Sequence, residues 1–63
     1  MKPALIDYTN HRGERRKRHI LPRGIYFGVS PHHPGEQWIL IAIDVDRNEL
    51  RDFAMCKVHS WSQ

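Results

Sequence analysis

The stretch Trp38-Ile39-Leu40-Ile41-Ala42-Ile43-Asp44-Val45 is an almost continuous apolar run rich in β-branched residues, followed at once by the polar residues Asp46-Arg47-Asn48-Glu49. Branching at Cβ stiffens χ1 and suits a pleated sheet, and a run this short has the length of a strand rather than a helix. It sits in a chain of 63 residues. A chain so short buries only about 60% of its unfolded surface, so roughly a dozen apolar side chains must hold one thin core. Cys56 is the only cysteine, which rules out an internal disulfide as a staple. The fold must therefore be a single domain, residues 1–63, that gets its stability from strands wrapped tightly on one another.

The flanking segments read the same way. Leu5-Ile6-Asp7-Tyr8 has the composition of a first strand, and Thr9 to Glu14 is a turn with Asn10 and Gly13 at its centre. From Arg15 to Leu21 the pattern alternates: Arg16, Arg18, Ile20 and Pro22 fall on one face, and Lys17, His19, Leu21 and Arg23 on the other. Such a strand sinks its far end in a core and leaves its basic start in solvent. Pro22 cannot donate to a ladder and belongs at an edge, bend or bulge, and Gly24 marks a kink before the next strand, Ile25 to Val29. Ser30 to Gln37, punctuated by Pro31, Pro34 and Gly35, reads as a loop. Trp38–Val45 and Leu50–Met55 form a hairpin around the turn at 46–49, and the last segment, Cys56 to Trp61, is a strand or one helical turn. Five or six short strands without an amphipathic helix describe an all-β chain, and closing the sheet into a small barrel removes its exposed edges.

In such a barrel Trp38, Leu40, Ala42 and Asp44 share one face of the central strand, and Ile39, Ile41, Ile43 and Val45 the other. With the first face inside, Ile39, Ile41 and Ile43 line up outside. That patch points to a subunit contact and a homodimer; the alternative is that a terminal segment containing Trp61 folds over it.

The net charge of +3 is unevenly spread. Arg12, Arg15, Arg16, Lys17, Arg18 and Arg23 stand against Glu14 alone, a local excess of +5, while the rest of the chain sums to −2. A basic arm over 12–23 on a mildly acidic body suits a polyanion; the alternative is a solvated hairpin that keeps a small protein soluble. The lone cysteine fits a reducing cytoplasm, no apolar run approaches the roughly 20 residues that cross a bilayer, and the N-terminus lacks the apolar stretch of a signal peptide. The expectation is a cytoplasmic protein without membrane attachment.

With these residues laid out, the chain resembles a reduced WYL domain, an Sm-like or SH3-like small β-barrel found mostly in bacterial transcription regulators. Ile6-Asp7-Tyr8 matches the family's Ile/Val-x-Tyr strand and Gly13-Glu14 its Gly-Glu turn. Arg18, Ile20, Pro22, Gly24 and Ile25 match Arg-x-Val/Ile-x-Pro-x-Gly-Leu. Trp38-Ile39-Leu40, followed by Ala42, stands where the family has Trp-Tyr-Leu, and Arg51, Phe53, Met55, Lys57 and Val58 follow its closing Arg-x-Phe-x-Leu-x-Arg-Ile. The resemblance covers residues 6–58, with Ile39 in place of the tyrosine and Lys57 in place of the last arginine. It implies a barrel cored by Ile20, Leu40, Ala42, Phe53, Met55 and Val58, and a sensing or binding module that regulates transcription without being a complete transcription factor.

Arg18, Arg51 and Lys57 are then the candidate anion site, since a guanidinium presents parallel donors to phosphate and the lysine adds a mobile charge. The alternative is that Arg51 pairs with Asp44 or Asp52 as a surface charge. Arg12, Arg15, Arg16 and Lys17 are candidates for nonspecific attraction to a nucleic-acid backbone, and Tyr26, Phe27 and Trp38 for stacking on bases if the core does not claim them. The five histidines do not show the paired spacing of a zinc site; His32-His33 between prolines is a rigid loop, with one ring expected against Trp38. No cofactor, metal or catalytic constellation is expected. The partners implied are nucleic acid or a nucleotide, with another protein or a second copy as the alternative.

Overall fold

The computed structural model describes residues 2–63 and confirms an all-β chain with a small barrel-like fold. Five strands, β1 (Ala4–Thr9), β2 (Arg15–Ser30), β3 (His33–Asp44), β4 (Glu49–Ala54) and β5 (Val58–Ser62), form one antiparallel sheet in the order β4-β3-β2-β1-β5. A single 3-10 turn, Met55–Lys57, joins β4 to β5, so the last segment is helical turn and strand in succession. Among the described residues, no helix is long and apolar enough to cross a membrane.

The two stretches expected as separate strands around Pro22 are one 16-residue strand. Its first half pairs with β1, from Thr9↔Arg15 to Ala4↔Ile20, and its second half, among the described residues, pairs only with β3. The register shifts between Pro22 and Gly24, so the proline lies at a bulge just past the last β1 partner, where a missing N–H removes no ladder bond. A bulge bends its strand and increases the local twist. Here the bend lets one long strand belong to both walls of the barrel. The expected loop over 30–37 is shorter than its prolines suggest. β3 already begins at His33, and β4 reaches only to Ala54 opposite Ile39, which leaves Pro34 on an unpaired edge where it is tolerated.

The inner face carries the core expected of it. Ala4, Ile6, Tyr8, Ile20, Leu40, Ala42 and Phe53 form one buried cluster, with Met55 and Val58 packed against it. The Tyr8 and Phe53 rings meet edge to face, centroids 4.9 Å apart, and the Tyr8 hydroxyl accepts a 3.0 Å hydrogen bond from the Ala54 amide. Burial pushes the Tyr8 phenol above its ordinary value of 10.0, and the Ala54 amide opposes this in part. The fold therefore favours the neutral phenol. Its contribution is complete below pH 10, the unfolded value, and is lost as pH rises through the higher folded value. We expect Tyr8 in a Tyr26→Phe chain to ionise only together with loss of far-UV β signal. Tyrosinate absorbance rising near pH 10 while the sheet remains intact would contradict this.

Two expectations about β3 need correction. Ile39 is completely buried; the 3-10 turn packs against β3, where Gln37, on the same face as Ile39, accepts a 3.4 Å contact from the Cys56 thiol. Ile41 and Ile43 are half-buried, so the three isoleucines are not an open stripe. Trp61 does not cover them either. It lies opposite Ile6 on the inner face of β5. Trp38 is not part of the core: it is exposed near the far end of the β2–β3 hairpin, its ring edge-on to Phe27 at 5.3 Å.

Candidate functional site

A cleft of about 600 Å³ opens at one end of the barrel. Its walls come from three places: the β1–β2 turn with Asn10, His11 and Arg12, the β2–β3 turn with Pro31, His32 and His33, and β4 from Glu49 to Phe53. Tyr8 and Arg18 also line it.

Local chemistry holds each wall in place. The Asn10 side-chain oxygen accepts 2.9 Å hydrogen bonds from the Arg12 and Glu14 amides, an Asx arrangement that closes the turn, and Gly13 follows in the left-handed region at φ 84°. The Asn10 amide bonds the Glu14 carboxylate at 3.2 Å, and this bond holds that carboxyl below its usual range. The second wall is tied down by His33, which is buried, with Nε2 3.4 Å from the Asp52 carbonyl oxygen. The expected contact of a histidine with Trp38 is replaced by this bond and by a stack of His32 on His11, centroids 5.1 Å apart. Neither meeting has a signal in the sequence, since the paired residues lie 19 and 21 positions apart.

The basic residues are sorted by strand alternation. Arg18 faces inward opposite Ile6 and is almost wholly buried, its Nη1 3.2 Å from Asp44 Oδ2. Its Nε has no hydrogen-bond partner among the described residues. Asp44 is 2% exposed, and its other oxygen accepts from the Arg47 amide at 3.4 Å. Asp44 therefore belongs to Arg18, not to Arg51 as one sequence alternative had it. Arg51 sits opposite Ala42, with Nη1 3.7 Å from Glu49 Oε2, a long and solvent-screened contact. Arg12 makes no ion pair among the described residues.

Three of the expected residues therefore line one cleft: Arg12, Arg18 and Arg51. The others do not. Arg15 and Lys17 lie on the outer face of β2, and Arg15 is held by Asp7 through two 3.0 Å bonds, Nε to Oδ1 and Nη2 to Oδ2. That fork lowers the Asp7 pKa and raises that of Arg15. Arg16 is exposed opposite Tyr8. Lys57 lines a neighbouring groove of about 380 Å³ that shares Tyr8, His11, His32 and His33 with the cleft. Trp38 lines neither.

Glu49 and Asp52 are in the cleft wall as well, so two carboxylates stand beside three guanidiniums, one of which, Arg18, is paired with Asp44. Arg12 and Arg51 share the cleft with the imidazole rings of His11, His32 and His33. Among the described residues no three His, Cys, Asp or Glu side chains come together as metal ligands would. Set against family models, curated proteins and solved structures, the chain matches none.

Proposed function

We propose that this chain is a non-enzymatic regulatory module of WYL type that binds an anionic ligand, nucleic acid foremost, in the cleft between Arg12 and Arg51. The observation that supports this most directly is the convergence of Arg12, Arg18 and Arg51, from a turn and two different strands, on one cleft. Arg18 is already neutralised by Asp44 and acts as a charged floor, whereas Arg12 and Arg51 offer donors to solvent. Arg16, Lys17 and Lys57 are exposed cations outside the cleft and supply longer-range attraction to a polyanion. The order of the Arg-x-Ile-x-Pro-x-Gly-Ile and Arg-x-Phe segments supports a domain whose relatives serve bacterial transcription regulation.

The experiment is titration with single- and double-stranded oligonucleotides at low and at near-physiological salt. Affinity is expected to fall steeply with salt, because each neutralised phosphate releases a counterion. Arg51→Ala and Arg12→Ala should each weaken binding roughly tenfold, the loss of one charge-assisted bond, and each should flatten the log–log salt slope by about 0.7–0.9. Arg15→Ala, which removes a cation held by Asp7 on the outer face, should change affinity much less. Absence of binding to either oligonucleotide at low salt would overturn the reading.

A cleft of about 600 Å³ is also the size of a small-ligand site, which favours a free nucleotide as the second reading. Nucleotides that raise the melting temperature of a chain indifferent to oligonucleotides would select it.

A further inference from the structure

Two imidazole rings in the wall of the arginine cleft lie nearly face to face, and among the described residues neither is paired with a carboxylate. His11 comes from the β1–β2 turn and His32 from the β2–β3 turn, with 5.1 Å between ring centroids and 22° between planes. Both are exposed. Both line the cleft and also the neighbouring groove that holds Lys57, so the stack stands where the two hollows meet. The charged groups around it come from every element nearby: Arg12 on its own turn, Arg18 on β2, Glu49, Arg51 and Asp52 on β4, and Lys57 on the 3-10 turn. Even with Asp44, the partner of Arg18, included, these are four cations against three carboxylates. The Tyr8 phenol, the Cys56 thiol and the buried His33 complete the titratable lining.

We propose that His11 and His32 are phosphate-binding residues that take up protons as the cleft fills, so that this chain holds a nucleic-acid backbone more tightly as pH falls. The proposal rests on the anion-binding reading of the cleft and adds the proton to it as a second ligand. Imidazole is the side chain whose charge ordinarily changes between pH 5 and 8. Two imidazolium rings this close repel each other, and the cations around them add to the repulsion. A phosphate seated against the rings reverses the balance, because an adjacent opposite charge favours the cationic form. Each ring that gains a proton presents two N–H donors in place of one, and its bonds to phosphate oxygen become charge-assisted. The occupied cleft therefore carries more protons than the empty one, and by linkage its affinity rises as pH falls. His33 is not free to do the same, since it is buried with its Nε2 3.4 Å from the Asp52 carbonyl oxygen.

The probe is a short single-stranded oligothymidylate at low salt, whose phosphodiesters and bases keep their charge between pH 6 and pH 8. Affinity should be roughly tenfold higher at pH 6 than at pH 8, which corresponds to uptake of about half a proton per site averaged over that span. Calorimetry in two buffers of different ionisation heat reads that uptake directly. The double variant His11→Gln with His32→Gln changes two exposed side chains and should keep the far-UV spectrum. At pH 6 it should bind about as the wild-type chain binds at pH 8, and each single variant should lose part of the dependence. His19→Gln removes a ring on the outer face of β2, 3.5 Å from Asp46, and should retain the dependence in full. That control separates the stack from the general gain of charge by five histidines. Equal affinity at the two pH values, or a dependence that survives the double substitution or vanishes with His19→Gln, would overturn this proposal and leave the cleft reading standing. No binding at either pH would overturn both.

Discussion

Asp44→Ala is expected to leave this chain largely unfolded at room temperature. Arg18 is enclosed by the barrel with 9% of its side chain exposed, and its Nε already lacks a partner. Removing the carboxylate leaves a buried guanidinium at the cleft floor without its counter-charge. Breaking a buried pair from one side costs about 3–5 kcal/mol, and a domain of this length rarely has more than about 3–5 kcal/mol in total. Asp44→Ala also removes the acceptor of the Arg47 amide, loosening the β3–β4 turn. The double variant Arg18→Met with Asp44→Leu separates a pair that stabilises from one that is merely dangerous to break. Replacing both charges with apolar groups of similar volume is often neutral or better, so this chain should refold and melt well above Asp44→Ala, below the wild type only by the lost Arg47 amide bond. Urea denaturation followed by circular dichroism reads all three chains. An Asp44→Ala midpoint indistinguishable from wild type would mean that the pair is solvated in solution.

Ile39→Ala should cost about 2–5 kcal/mol, again most of the stability available. The cause differs. Ile39 is completely buried outside the main cluster, and alanine leaves a cavity there. Ile43, on the same face but half-buried, should cost clearly less, and Leu50, 66% exposed opposite Ile43, should fall within about 0.5 kcal/mol of wild type. This gradient distinguishes burial within the chain from a subunit contact. A contact would make all three losses depend on protein concentration, while burial within the chain makes the Ile39 loss independent of it.

These two residues also mark how far the sequence could be read. Ile20, Leu40, Ala42, Phe53, Met55 and Val58 were marked as core by the resemblance; the first four are buried in one cluster, with Met55 and Val58 packed against it. Alternation put Arg18 on one face with Ile20, but the basic start of the strand was expected in solvent, and the burial of Arg18 against Asp44 had no signal. Alternation failed at Ile39 and Trp38. It predicts which face a residue is on, but says nothing of whether that face continues to be covered along the strand. The inner face loses its cover beyond Leu40, so Trp38 is exposed, and the outer face is covered at Ile39. The prolines misled in a similar way. Pro22 and Pro34 suggested breaks, yet each lies where its strand has only one partner.

For the cleft, the sequence supplied the residue types and the sheet order chose among them. A run of basic residues contains no information on which will meet. Arg12 and Arg51 line one cleft because a turn and a strand far apart in the chain close over the same barrel end, and Arg15 is removed from it by Asp7 one strand away.

By itself, the sequence determined an all-β chain, the two faces of its strands and its basic first half, because these follow from branching at Cβ, alternation and local charge. Only the tertiary structure decided which arginines share a cleft, which isoleucine is core and which stretch of β2 is left without a neighbour. Each of those depends on where a distant segment ends, and the chain records that end only once it has folded.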